Sequence, residues 1–121
     1  MLNCIAVGIG GFFGSILRYL IGMITVKEPF SFPVRTLLIN VTGAFFIGAV
    51  AAFFSKNTSL NPRMLLLLKV GFCGGFTTFS TFSYESLGLI MSGNTITAAA
   101  YILSSVILCI AAVFGGQCIF R

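Results

Sequence analysis

Apolar residues in this chain neither alternate with polar ones nor gather on one helical stripe. They run almost unbroken through four stretches, roughly residues 2–25, 34–55, 64–91 and 96–119. Each is long enough to supply the ~20 residues that carry an α-helix across the hydrocarbon core of a bilayer. Between them lie Lys27-Glu28-Pro29-Phe30-Ser31-Phe32-Pro33, then Ser55-Lys56-Asn57-Thr58-Ser59-Leu60-Asn61-Pro62, then Met91-Ser92-Gly93-Asn94-Thr95. Each linker carries the Pro, Gly, Asn or Ser punctuation of a turn. The pattern predicts an all-α membrane protein with four spans, one domain over residues 1–121, and nothing left over for a soluble unit. The first stretch reads as a true span and not as a removable leader. It lacks a basic start, carries Arg18 inside, and is followed by three more apolar stretches.

Composition sharpens this. The chain is 58% hydrophobic and 7% charged, with no His and no Trp, whereas soluble domains are about 25% charged. Two acids, Glu28 and Glu85, stand against seven bases, so the net charge of +5 reflects missing acids and not a basic patch. The bases are Arg18, Lys27, Arg35, Lys56, Arg63, Lys69 and Arg121, scattered as membrane anchors are. No stripe fits a phosphate backbone, which argues against nucleic-acid binding. Cys4, Cys73, Cys109 and Cys118 have no CxxC spacing and no His beside them, so they read as small buried hydrophobes and not as zinc ligands. With a cytoplasmic N-terminus, Lys56, Arg63, Lys69 and Arg121 fall inside, against Lys27 and Arg35 outside. That asymmetry is weak for a rule that sets orientation by Lys and Arg, and insertion both ways up is the expectation.

Small residues mark the expected helix contacts. Gly10-xxx-Gly14 and Gly71-xxx-Gly75 are small-xxx-small pairs, Asn40, Ala44 and Gly48 share one face, and Tyr101, Ser105, Cys109, Ala112 and Gly116 form a mostly small stripe. Polar groups inside the spans are functional candidates because lipid penalises them. Arg18 suits anchoring or function. Asn40 suits helix glue or donation to an anion, and Glu85 suits proton transfer, ion pairing or an interface.

The richest stretch is GFCGGFTTFSTFSYES, Gly71 to Ser86. Its glycines predict a third helix broken at Gly74–Thr78, which survives at membrane depth only when buried in protein or lining a wet cavity. Freed carbonyls at such a break are cation ligands, and half-helix N-termini favour anions. Beyond it, Phe79 and Phe82 share a face by i, i+3 spacing, as do Thr78 with Thr81 and Ser80 with Ser83. No Lys follows the glycines as a phosphate loop requires, and the chain has no His, Asp or GxSxG elbow, so an enzyme is not expected.

These residues resemble a known family, the Fluc fluoride channels, also called the camphor-resistance family. GGFFGSILRY (Gly10 to Tyr19) is similar to the family's GGxxGAxxRY, RTLLINVTGAFFIG (Arg35 to Gly48) to GTLxxNxxGSFxxG, and GFCGGFTTFSTF (Gly71 to Phe82) matches the span-three motif nearly letter for letter. Tyr101 and Ser105 match its span-four pair. The resemblance implies a dual-topology homodimer of antiparallel subunits, two fluoride pores, and passive, selective fluoride export across the inner (plasma) membrane. Asn40 would donate to fluoride, Phe79 and Phe82 would form an aromatic box, and Tyr101 and Ser105 would add hydroxyls. Thr81 and Ser83, beside the aromatic face, join the same candidate pathway. Arg18 would belong to the vestibule. The carbonyls of Gly74 and Thr77, from both subunits, would hold one structural Na+ at the dimer centre. Ser15 replaces the motif's Ala, and Arg35 its Gly, adding a charge at the mouth of span two. The rivals are a small multidrug-resistance-type exporter, which needs a carboxylate in span one where this chain has Arg18, and a non-transporting membrane assembly subunit.

Overall fold

The computed structural model describes residues 1–25 and 32–120. Residues 27–31 of the expected 27–33 linker and the charges of Lys27, Glu28 and Arg121 lie outside the described residues. The described chain is helical: α1 (Leu2–Gly22), α2 (Val34–Lys56), α3 (Pro62–Leu65), a wide π-helical stretch (Leu66–Cys73), α4 (Gly74–Phe76), α5 (Phe79–Met91) and α6 (Thr95–Ile119). Four helical runs are long and apolar enough to cross a membrane: Leu2–Gly22, Val34–Lys56, the composite Pro62–Met91, and Thr95–Ile119. They coincide with the four apolar stretches to within a few residues.

Local chemistry sets the ends. Asn61 caps α3 by accepting the Arg63 N–H, with Pro62 in the first turn, where its missing N–H costs nothing. Pro33 precedes α2. Between α5 and α6, Gly93 takes φ +81, a conformation that glycine adopts without a Cβ clash.

The spans pair in two couples: α2 lies along α6, and α1 lies along the π-helical stretch and α4. Hydrophobicity does not drive helices together in lipid, so close packing must. Here the packing is backbone on backbone. A Cβ on Gly10 would strike the Leu67 carbonyl, one on Gly14 the Phe72 carbonyl, and one on Gly75 would stand 2.7 Å from the Gly11 carbonyl. In the other couple, a Cβ on Gly48 would strike the Val113 carbonyl and one on Gly116 the Phe45 carbonyl. A third contact joins α5 to α6 through Phe82, Leu89, Ala98 and Tyr101, with Phe32, Leu37 and Ile102 packed around them. The outer faces expose Phe12, Phe13, Leu20, Ile107 and Ile110, as lipid-facing surfaces do.

Gly48→Val and Gly116→Val are therefore expected to separate α2 from α6 and abolish the sharp elution of folded protein in detergent. Gly8→Ala and Gly115→Ala, which would meet nothing within 4 Å, are expected to elute as the parent does. Wild-type elution of both Val variants would remove the packing argument.

Candidate functional site

The third span is continuous except at two residues. Thr77 (φ −80, ψ 158) and Thr78 (φ −148, ψ 111) are extended between α4 and α5. Two extended residues free backbone groups where no water is expected, and side chains take them up. The Thr78 N–H donates to Asn40 Oδ1 at 2.8 Å, and Asn40 Nδ2 donates to the Thr78 carbonyl at 3.1 Å. Thr78 Oγ1 accepts the Thr81 N–H at 3.1 Å and so caps α5, while its own proton reaches Thr81 Oγ1 at 3.0 Å. Thr77 Oγ1 turns back to the Cys73 carbonyl at 2.9 Å. From α1, Arg18 Nε donates to the Gly75 carbonyl at 3.1 Å. Arg18 is thus tied to the interruption. Gly74 keeps ordinary helical angles (φ −64, ψ −39).

Beside the interruption α2, α5 and α6 leave a cavity of about 380 Å³. Its polar wall includes Asn40, Thr77, Thr78 and Ser105, and Phe79 and Phe82 stand at one side. Ser105 Oγ is buried and, among the described residues, has no hydrogen-bond partner. The rings of Phe79 and Phe82 lie 5.5 Å apart at 42°. Phe82 is buried against Tyr101 (5.3 Å, 55°), whereas Phe79 is 79% exposed. An aromatic ring is negative on its face and positive at its edge. A cavity lined by an amide with a second N–H, by a serine and by two aromatic rings has the chemistry to hold a small anion.

The chain matches the family described as "CrcB-like protein, Camphor Resistance (CrcB)" over residues 5–117. It belongs to the CrcB family. Full-length similarity agrees. The chain is 42% identical to the fluoride-specific ion channel FluC of Rhizobium meliloti over 122 residues, covering 100% of this chain and 98% of that one. It is 43% identical to FluC of Campylobacter jejuni (serotype O:2) over 123 residues, covering all of both, and 41% identical to FluC of Chlorobaculum tepidum, covering 96% and 92%. The CrcB family is one of channels and not of enzymes.

Within this CrcB chain the expected site residues divide. Asn40, Phe79, Phe82, Ser105 and Thr77 line the cavity. Tyr101 does not: it is fully buried, and its hydroxyl donates to Glu85 Oε2 at 2.8 Å. Thr81 Oγ1 accepts the Thr78 hydroxyl proton, and exposed Ser83 donates to the Phe79 carbonyl of its own helix. Neither lines the cavity, and neither does Arg18. Gly74 lies exposed, with open space where a Cβ would stand.

One network escaped the sequence. Glu85 also accepts the Thr36 hydroxyl at 2.8 Å, so one carboxyl gathers α2, α5 and α6. The available signal was that an acid deep in a span needs donors; Thr36 and Tyr101 are too far apart in the chain for spacing to reveal them. At that end, Arg35 donates through Nη1 to the Gly22 carbonyl at 2.8 Å and borders a second cavity of about 390 Å³ with Glu85, Ser92 and Asn94. A cation at the end of α1 satisfies its terminal carbonyls.

Two hydroxyl deletions should therefore differ in sign. Tyr101→Phe strips a donor from Glu85 and is expected to lower stability by about 1–2 kcal/mol. Ser105→Ala removes a hydroxyl without a partner and should leave the melting temperature in detergent unchanged or raised. Equal destabilisation by both would show that Ser105 is bonded after all.

Proposed function

We propose that this chain is a fluoride-selective passive channel that lets fluoride leave the cytoplasm through the inner (plasma) membrane. The observation that carries the reading is the buried, unpartnered hydroxyl of Ser105, a residue that lines one cavity together with Asn40 and two phenylalanines. The channel name borne by relatives that align over the whole chain supports it. Fluoride is small and strongly hydrated, so a pore must replace its water without trapping it. Donors and ring edges that each bind weakly allow both entry and exit. Hydrogen fluoride crosses membranes neutral and dissociates at the higher internal pH, so the anion accumulates inside and leaves down its own gradient.

The working unit in this reading is an antiparallel homodimer with two pores. The carbonyls of Gly74 and Thr77, contributed by both copies, would hold a structural sodium ion between them. Oxygen donors suit a hard cation, and exposed Gly74, with nothing within 4 Å of its would-be Cβ, leaves room for a second copy to approach. Bound there, sodium would supply positive charge that ties the two interrupted spans together.

The multidrug-exporter alternative lacks its essential group, because α1 holds no carboxylate. A non-transporting assembly subunit leaves the cavity and its unpartnered hydroxyl without a use. Proteoliposomes holding the purified chain are expected to release fluoride and to retain chloride. Absent fluoride release, or chloride release at a similar rate, would overturn the proposal. Phe79→Ile and Phe82→Ile are each expected to slow fluoride release by about tenfold or more, the effect of ~1.4 kcal/mol on a barrier.

A further inference from the structure

We infer that Asn40 and Thr78 are the positioning residues of the cation site, because their side chains draw off the two amide protons that would otherwise close the Gly74 and Thr77 carbonyls. The inference rests on the sodium-site part of the function proposed above and adds what builds that site.

In an α-helix each N–H donates to the carbonyl four residues earlier. Had the third span continued without interruption, the Thr78 N–H would have bonded the Gly74 carbonyl, and the Thr81 N–H the Thr77 carbonyl. Neither does. The Thr78 N–H goes to Asn40 Oδ1 at 2.8 Å, and the Thr81 N–H goes to Thr78 Oγ1 at 3.1 Å. The neighbouring carbonyls are treated differently. Cys73 receives the Thr77 N–H at 3.0 Å and the Thr77 hydroxyl at 2.9 Å, and Gly75 receives Arg18 Nε at 3.1 Å. The side chains around the interruption thus satisfy Cys73 and Gly75 and divert the helical donors of Gly74 and Thr77.

Asn40 can do this because it reaches Thr78 from a different helix. Its Oδ1 takes the Thr78 N–H while its Nδ2 holds the Thr78 carbonyl, a two-point clamp that fixes the extended backbone. An Asn amide has a second N–H, and Asn40 also lines the anion cavity. One side chain therefore sits between the anion pathway and the carbonyls that would face the cation. Thr78 contributes as the cap of α5: its Oγ1 is the acceptor that the Thr77 carbonyl would otherwise have been.

Position 78 needs only an acceptor oxygen and position 40 an acceptor with a donor beside it, which separates conservative from disruptive variants. Sodium is titrated into the purified full-length protein in detergent, with N-methyl-D-glucamine holding ionic strength constant, and binding is read from thermal stability and from retention of radioactive sodium. Wild type and Thr78→Ser, which keep the acceptor, are expected to bind sodium with similar affinity. Asn40→Leu and Thr78→Val, which return the amide to the helix, are expected to bind it at least about tenfold more weakly. Wild-type affinity in folded Leu and Val variants overturns the positioning role. Should those two fail to fold, a loss of sodium affinity in Thr78→Ser overturns it instead. If wild type itself ignores sodium while still releasing fluoride, the cation site is wrong, and this inference falls with it while the channel stands.

Discussion

No water is on hand inside a bilayer to bond a stray amide or carbonyl, and each one left alone costs several kcal/mol. That constraint governs this chain most where it departs from a plain helix, at Thr77 and Thr78. The interruption persists because two other parts of the chain service it, Asn40 from α2 and Arg18 from α1, and because the Thr78 side chain caps α5. The glycine packing belongs to the same account. Arg18 reaches the Gly75 carbonyl because Gly10, Gly14, Gly71 and Gly75 let α1 lie directly on the third span. Asn40 meets Thr78 beside Gly43, where any Cβ would strike the Thr77 methyl group. Close approach and broken helix are one design.

Much of this was legible in the sequence, for physical reasons. Four apolar runs with punctuated linkers leave little choice of architecture, because only a helix can satisfy its own backbone across so long an apolar stretch. Small residues at i, i+4 announced the contacts, since backbones approach closely only where side chains are missing. Asn40, Phe79, Phe82 and Ser105 were chosen from the sequence and share one cavity. Partnership was harder to see. A sequence lists the hydroxyls of Tyr101, Thr81, Ser83 and Ser105 as equals, and only the folded chain commits the first three to Glu85, Thr78 and the Phe79 carbonyl. The glycine pair shows the same gap. Gly74 and Gly75 read as helix breakers, yet both lie in α4, where Gly75 serves packing and the threonines are the extended residues.

Glu85 illustrates how a group that looks functional can be structural. A carboxyl within a span raises the thought of proton transfer, but this one is met by Thr36 from α2 and Tyr101 from α6. Both hydroxyls act as donors toward it, so each polar group removes the others' need for water. The same bond fixes Tyr101, whose ring backs Phe82 at 5.3 Å. The carboxyl thus supports the aromatic wall at one remove: it positions a ring, and that ring holds another.

A pore for an anion has to contain donors that nothing in the protein already uses, and this conflicts with the rule that buried polar groups find partners. The chain reconciles the two by dividing its polar groups. Most are closed in pairs or networks, and these hold helices in place: Asn40 with Thr78, Glu85 with Thr36 and Tyr101, Arg18 with Gly75. Very few are left open, with Ser105 the buried hydroxyl in that condition among the described residues. An open donor in lipid is tolerable only if something occupies it part of the time, because desolvating it without return destabilises the fold by about 1–3 kcal/mol. In the proposed channel a passing anion would offset that cost. A weak, replaceable partner is what conduction requires. In the proposed reading, the local instability at Ser105 and the passage of an ion would be two aspects of the same unpaired hydroxyl.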